Sequence, residues 1–126
     1  MALKVLHPQE VEVFYLLPAL RKEIAVNLKA QKLNQKEIAV ILGVTEAAVS
    51  QYFSEKRANE IKLTKEIKQQ VQDVSKNIRT PPQFVYETQQ LLNRLLETKA
   101  TCEFHKQVNG DIPANCTMCF DGKVHP

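Results

Sequence analysis

Four side chains near the C-terminal end of the chain have the types and the spacing of metal ligands. Their pattern is C-x2-H-x10-C-x2-C, and its members are Cys102, His105, Cys116 and Cys119. Each half of the pattern places two ligands on one short turn, and Asn109-Gly110 between the halves favours a tight turn that brings them together. Three thiolates and one imidazole complete a tetrahedral shell and leave no open coordination position. The sequence therefore predicts one closed metal centre.

The alternative to a metal site is three buried thiols and an unrelated surface histidine. The residues around these cysteines are mostly Asn, Asp, Lys, Gln and Gly, which cannot build an apolar core around them. An odd number of cysteines without an evident export signal also argues against a disulfide framework. We expect zinc, with an iron–sulfur cluster as the alternative, since such clusters use Cys and occasionally His. The tail is polar and should be disordered without its metal.

A second group of residues has the pattern of two short helices joined by a tight turn. Asn34 and Thr45 can each cap a helix, and Gly43 stands where the backbone must turn and positive φ is favoured. The residues expected to face inward are Ile38, Ala39, Leu42, Val44, Ala48 and Val49, with Tyr52 or Phe53. In this geometry the second helix presents its first residues to the major groove of DNA. An αα-hairpin without a nucleic-acid role is the alternative.

This stretch resembles the helix-turn-helix of the phage-repressor-like (XRE) family, in particular its short archaeal regulators. The matching residues are Leu33, Gln35, Glu37, Ile38, Ala39, Leu42, Gly43, Val44, Thr45, Val49, Ser50, Lys56 and Arg57. The resemblance covers about a fifth of the chain and implies a sequence-specific DNA-binding regulator. Glu46 departs from the pattern where related repressors often carry Gln, and Glu55 departs where they often carry Gly. Some regulators of this kind also carry Cys-rich tails.

The expected DNA contacts fall into two groups. Three residues would face base edges: Glu46, Ala47 and Gln51. Five residues would contact phosphates: Gln35, Thr45, Ser50, Lys56 and Arg57. Because a carboxylate accepts from cytosine N4 but repels phosphate, Glu46 changes the base preference expected from the resemblance.

The remaining sequence favours helices. Pro8 can open one helix through about Leu17, and Pro18 can open another that runs to about Gln31. Two apolar stripes follow, one over 63–78 and one that begins after Thr80-Pro81 and extends from Phe84 to Leu96. We predict an all-α fold: a repressor-like helix-turn-helix helical domain with additional C-terminal helices and a small metal-binding knuckle. The predicted regions are a DNA-binding part over 1–58, a helical extension over 59–100 and a metal-binding tail over 101–126.

Charge and composition are compatible with a small cytoplasmic regulator. The net charge is +3, which permits binding to nucleic acid. No apolar run approaches the roughly 20 residues of a membrane span, and no signal peptide is evident. Phosphate-binding loops, paired carboxylates and nucleophile motifs do not stand out, so neither catalysis nor a small-molecule substrate is expected. The late stripes offer more apolar surface than a monomer needs, which favours a homodimer on double-stranded DNA. A metal-stapled protein-interaction adaptor is the competing interpretation.

Overall fold

A computed structural model describes residues 7–54 and 61–108 of the chain. The helical elements are α1 (Pro8–Val11), a π-helical segment (Glu12–Leu16), α2 (Leu17–Ala30), α3 (Gln35–Leu42), α4 (Glu46–Phe53), α5 (Lys65–Ser75), α6 (Pro81–Glu97) and α7 (Ala100–Val108). These two ranges contain no β-strand, and the all-α prediction is confirmed for them. None of the described helices is long and apolar enough to cross a membrane.

Pro18 lies inside a continuous stretch of helical backbone that begins ten residues before it, at Pro8. The backbone stays helical from Pro8 to Ala30, and the N–H of Leu17 donates to the carbonyl of Glu12, five residues earlier. Proline lacks an N–H, and its ring crowds the preceding turn of an α-helix. A wider π-helical turn just before Pro18 relieves that crowding without ending the helix. The predicted bounds of the second helix thus match those of α2, with Pro18 in its first turn, but no break in the helical backbone separates α2 from the turns before it.

Helix α2 is the centre of the described structure. It packs against the π-helical segment and against α3, α4 and α5. Its apolar residues at four-residue spacing, Leu20, Ile24 and Leu28, are completely buried, as their periodicity predicts. One cluster of buried side chains extends from Val11 to Phe104 and so draws on all three of the regions predicted from the sequence.

The two late apolar stripes lie mostly inside this core. On the first stripe Ile67, Val71 and Ile78 are buried. On α6 the buried residues are Phe84, Thr88, Leu91, Leu92 and Leu95. Thr80 caps α6 as predicted, because its hydroxyl oxygen accepts from the N–H of Gln83 at 3.4 Å. Val85 is 62% exposed, so the buried face of α6 is narrower than the sequence suggested.

The chain continues as helix α7 beyond the point where the polar tail was expected to begin. Phe104 is only 2% exposed, and α7 packs against α1, the π-helical segment and α6. The polar neighbours of the cysteines suggested a segment without a core, but Phe104 between Cys102 and His105 is a large apolar side chain that supplies one. The expectation that the segment lacks a core is wrong for residues 101–108, while residues 109–126 lie outside the described part of the chain.

Candidate nucleic-acid interface and metal ligands

Helix α3 begins at a reciprocal cap. The side-chain oxygen of Asn34 accepts from the N–H of Glu37 at 2.8 Å, and the Glu37 carboxylate accepts from the N–H of Asn34 at 3.1 Å. Two backbone donors at the helix start are satisfied by this arrangement. Ile38, Ala39 and Leu42 face the core, so both the predicted cap and the predicted inner face are confirmed.

The turn between α3 and α4 depends on Gly43. Its backbone has φ +68° and ψ +34°, the left-handed conformation that glycine adopts without steric cost. The N–H of Val44 then donates to the carbonyl of Ala39 at 3.1 Å, which closes the end of α3. Val44 packs against the core as predicted. The chain can therefore reverse direction within a few residues and begin α4 at once.

Helix α4 has one buried face and one exposed face. Its start is capped by Thr45, whose hydroxyl oxygen accepts from the N–H of Ala48 at 3.0 Å. The inward residues are Ala48, Val49 and Tyr52. Of the predicted DNA contacts on this helix, Glu46, Ala47 and Ser50 are exposed and Gln51 is half-buried. The helix thus presents three of the predicted contact residues on the side away from the core, and Gln51 lies partly covered beside them.

Phe53, the last residue of α4, packs differently from Tyr52. It is only half-buried, and the ammonium nitrogen of Lys29 lies 4.4 Å from the centroid of its ring. This distance is within the range of a cation–π interaction. Of the two aromatic residues considered from the sequence, Tyr52 is the one that completes the core.

A hydrogen bond between α3 and α4 joins their N-terminal ends. The side-chain amide of Gln35 donates from Nε2 to the backbone carbonyl of Glu46 at 2.8 Å. The sequence pattern predicts a phosphate contact for Gln35 but contains no signal for this bond, which spans eleven residues. Gln35 is exposed, and its side chain makes no other hydrogen bond within the described residues, so the second amide N–H leaves the two roles compatible.

The joined ends of α3 and α4 form an edge of mixed charge. Capping side chains accept the N–H groups of Glu37 and Ala48, and the helix dipole places partial positive charge at each start. Lys36, exposed at the second position of α3, adds a full positive charge, whereas Glu37 and Glu46 place carboxylates in the first turns of the two helices. Lys56 and Arg57, the other predicted phosphate contacts, lie outside the described residues.

Half of the predicted metal ligand set lies on α7. Cys102 and His105 are both half-buried and stand three residues apart, a spacing that puts them on one face of the helix. The Nε2 atom of His105 is buried and has no hydrogen-bond partner among the described residues. Burial also lowers the pKa of this imidazole, which favours the neutral form that binds metals.

Cys116 and Cys119 lie outside the described residues. Within the described ranges no group of three or more His, Cys, Asp or Glu side chains is close enough to hold an ion. The two candidate ligands on α7 fit the predicted donor set, since they offer one sulfur and one neutral imidazole nitrogen on a single helical turn.

Comparison with known proteins gave no match to any protein-family model, to any curated protein or to any solved structure. The geometry of α3, α4 and α7 is therefore the basis for assigning a function.

Proposed function

We propose that this protein is a sequence-specific DNA-binding transcription regulator of the helix-turn-helix type. The observation that carries the proposal is the unit formed by α3, the Gly43 turn and α4. Both helices are capped by their own side chains and anchored by buried residues, so α4 has a fixed position. Its outer face bears small or polar residues at its exposed N-terminal end. A rigid helix with such a face suits the major groove.

In the proposed complex, α4 enters the groove and the start of α3 approaches the DNA backbone. Glu46, Ala47 and Gln51 face base edges, and Ala47 is small enough to touch a thymine methyl group. Thr45 accepts a hydrogen bond in its cap and can still donate its hydroxyl proton to a phosphate. The remaining phosphate contacts are assigned to Gln35, Ser50, Lys56 and Arg57.

We further propose that Cys102, His105, Cys116 and Cys119 bind one metal centre, with zinc preferred and an iron–sulfur cluster as the alternative. Zinc in such a closed shell supplies structural cross-linking rather than catalysis. In either case α7 connects the centre to the core through Phe104. A metal bound there would hold the tail against α7, or would transmit a change in its own state to the helical domain.

A protein-interaction adaptor is the second candidate function. A groove of about 630 Å³ lies between α3 and the start of α6, with Leu33, Val40 and Pro81 among its lining residues. Val40 is 62% exposed beside this groove, and exposed apolar surface of this kind is used in protein contacts. Binding to duplex DNA distinguishes the two functions.

The DNA-binding function predicts a measurable salt dependence. Titration of labelled random duplex DNA should show an affinity that falls steeply as salt rises, because bound cations are released from the phosphates. Arg57→Ala should weaken binding to all sequences and reduce the salt slope by about one. Gln51→Ala should instead relax the preference at one base pair, by about 1–3 kcal/mol.

The matched control for Arg57→Ala is Arg94→Ala. Arg94 is exposed near the C-terminal end of α6, whereas the N-terminal end of that helix packs beside α3. The control removes the same charge far from the proposed interface and should leave binding almost unchanged. Equal effects of both substitutions, or salt-independent binding, would contradict a DNA interface on α4.

We also propose that the regulator acts as a homodimer that reads two half-sites. Most residues of the late apolar stripes are buried in the core. The exposed apolar residues of α6 include Val85 and Tyr86, whose side chains are 62% and 61% exposed. Sedimentation at micromolar concentration should show a dimer, and Val85→Asp should shift it toward monomer without loss of helicity. Val26→Asp, at an exposed valine on α2, is the matched control. A strict monomer, both free and on DNA, would exclude the two-half-site arrangement.

A further inference from the structure

The backbone of Glu46 is held by hydrogen bonds, whereas its carboxylate makes none within the described residues. Its carbonyl oxygen accepts from Gln35 at 2.8 Å, and the cap formed by Thr45 fixes the first turn of α4 immediately after it. Its side chain is exposed and makes no hydrogen bond or ion pair with any residue in the described ranges. The fold therefore sets the position of the Glu46 backbone, while the hydrogen-bonding capacity of its carboxylate is left for a ligand.

An ionised carboxylate can only accept hydrogen bonds, which restricts the base that it can face. In the major groove guanine presents two acceptors, and thymine presents an acceptor and a methyl group. Adenine presents a donor beside an acceptor, whereas cytosine presents only its N4 amino donor. Cytosine is thus the base whose edge offers a donor to the carboxylate without an acceptor that repels it.

Building on the proposed function, we infer that the Glu46 carboxylate accepts a hydrogen bond from the N4 amino group of a cytosine and so selects that base in each half-site. Gln35 acts as a positioning residue, because its bond to the Glu46 carbonyl joins the start of α4 to α3. The same negative charge repels the phosphates of every duplex, and only a cytosine at this position offsets that repulsion with a hydrogen bond, so duplexes without it bind more weakly.

The inference is tested by selection from random duplexes with the wild-type protein and with Glu46→Gln. The wild type should enrich cytosine at one position of each half-site. A glutamine side chain both donates and accepts, so the variant should enrich adenine at the same position. The preference for cytosine over adenine should change by about 5- to 150-fold. Because the substitution is exposed and nearly isosteric, helicity should be unchanged.

Glu66→Gln is the matched control for the loss of charge. Glu66 is exposed in the first turn of α5, a helix that is also capped by a threonine, Thr64. Its substitution should leave the selected sequences as they are in the wild type. A shift of the same size in this control would overturn the inference, since net charge alone would then explain the result.

Different results would contradict the role of Glu46 and the DNA-binding function. If the wild type selects a defined sequence without cytosine at such a position, or if Glu46→Gln selects the same sequence as the wild type, the role of Glu46 is wrong and the DNA-binding function stands. If the wild type shows no salt-dependent binding to any duplex, the DNA-binding function is wrong and the role of Glu46 is overturned with it.

Discussion

Replacing Phe104 with alanine should lower the free energy of unfolding by about 3–5 kcal/mol. The ring is 2% exposed and belongs to the same buried cluster as the central residues of α2. Its removal takes apolar surface out of the core and leaves a cavity between α7 and the helices against which it packs. Urea denaturation followed by circular dichroism in the helical region measures this loss directly.

Phe14→Ala provides the matched control for this substitution. Phe14 lies on the π-helical segment and is 55% exposed, so the same truncation should cost less than about 0.5 kcal/mol. A small effect at Phe104, or equal effects at the two positions, would mean that α7 does not share the core of the protein. The large difference that we expect would establish α7 as part of the helical domain.

Replacing Cys102 with serine should abolish stoichiometric metal binding. A hydroxyl is a much poorer ligand than a thiolate for zinc or for an iron–sulfur cluster, and the remaining groups cannot complete the tetrahedral shell. Cys116→Ser should have the same effect, because both residues are assigned to one centre. Metal analysis of protein purified without oxygen gives the occupancy. An absorption spectrum then identifies the metal, since zinc is colourless and an iron–sulfur cluster absorbs visible light.

The histidines offer a matched pair for the same experiment. His105→Ala should lose the metal, whereas His7→Ala should retain it, because the His7 side chain lies against Glu10 at the start of α1. The pair of helices around Gly43 should persist in every metal-free variant, since its caps lie within α3 and α4 and α7 packs mainly against α1, the π-helical segment and α6. Full metal occupancy in the cysteine variants would show that the ligand assignment is wrong.

Loss of the metal should not unfold α7 completely. Phe104 anchors this helix to the core independently of Cys102 and His105, which flank it on either side. We therefore expect the helical content of residues 101–108 to survive in Cys102→Ser. This expectation revises the prediction from sequence, in which the whole tail after about Ala100 depended on metal for its order.

The amino-acid sequence by itself determined the local features of α3 and α4. Asn34, Thr45 and Gly43 occupy the cap and turn positions that their side chains or backbone freedom favour. Each of these preferences depends on hydrogen bonds or torsions within a few residues, so a linear pattern contains the necessary information. The periodic apolar residues of α2 were predictable for the same reason, because one helical face repeats at a fixed spacing.

Other features were decided only by the tertiary structure. The burial of Phe104 and the bond from Gln35 to Glu46 each depend on how separate elements pack. The turn that accommodates Pro18 is local, but the sequence pattern does not distinguish it from a break between two helices. A proline alone does not reveal whether a helix ends or widens around it, and a single phenylalanine has no periodicity that marks it as core. The orientation of α4 relative to α3 likewise comes from contacts across the turn. Packing selects among local conformations of similar free energy, and that choice is absent from the linear pattern.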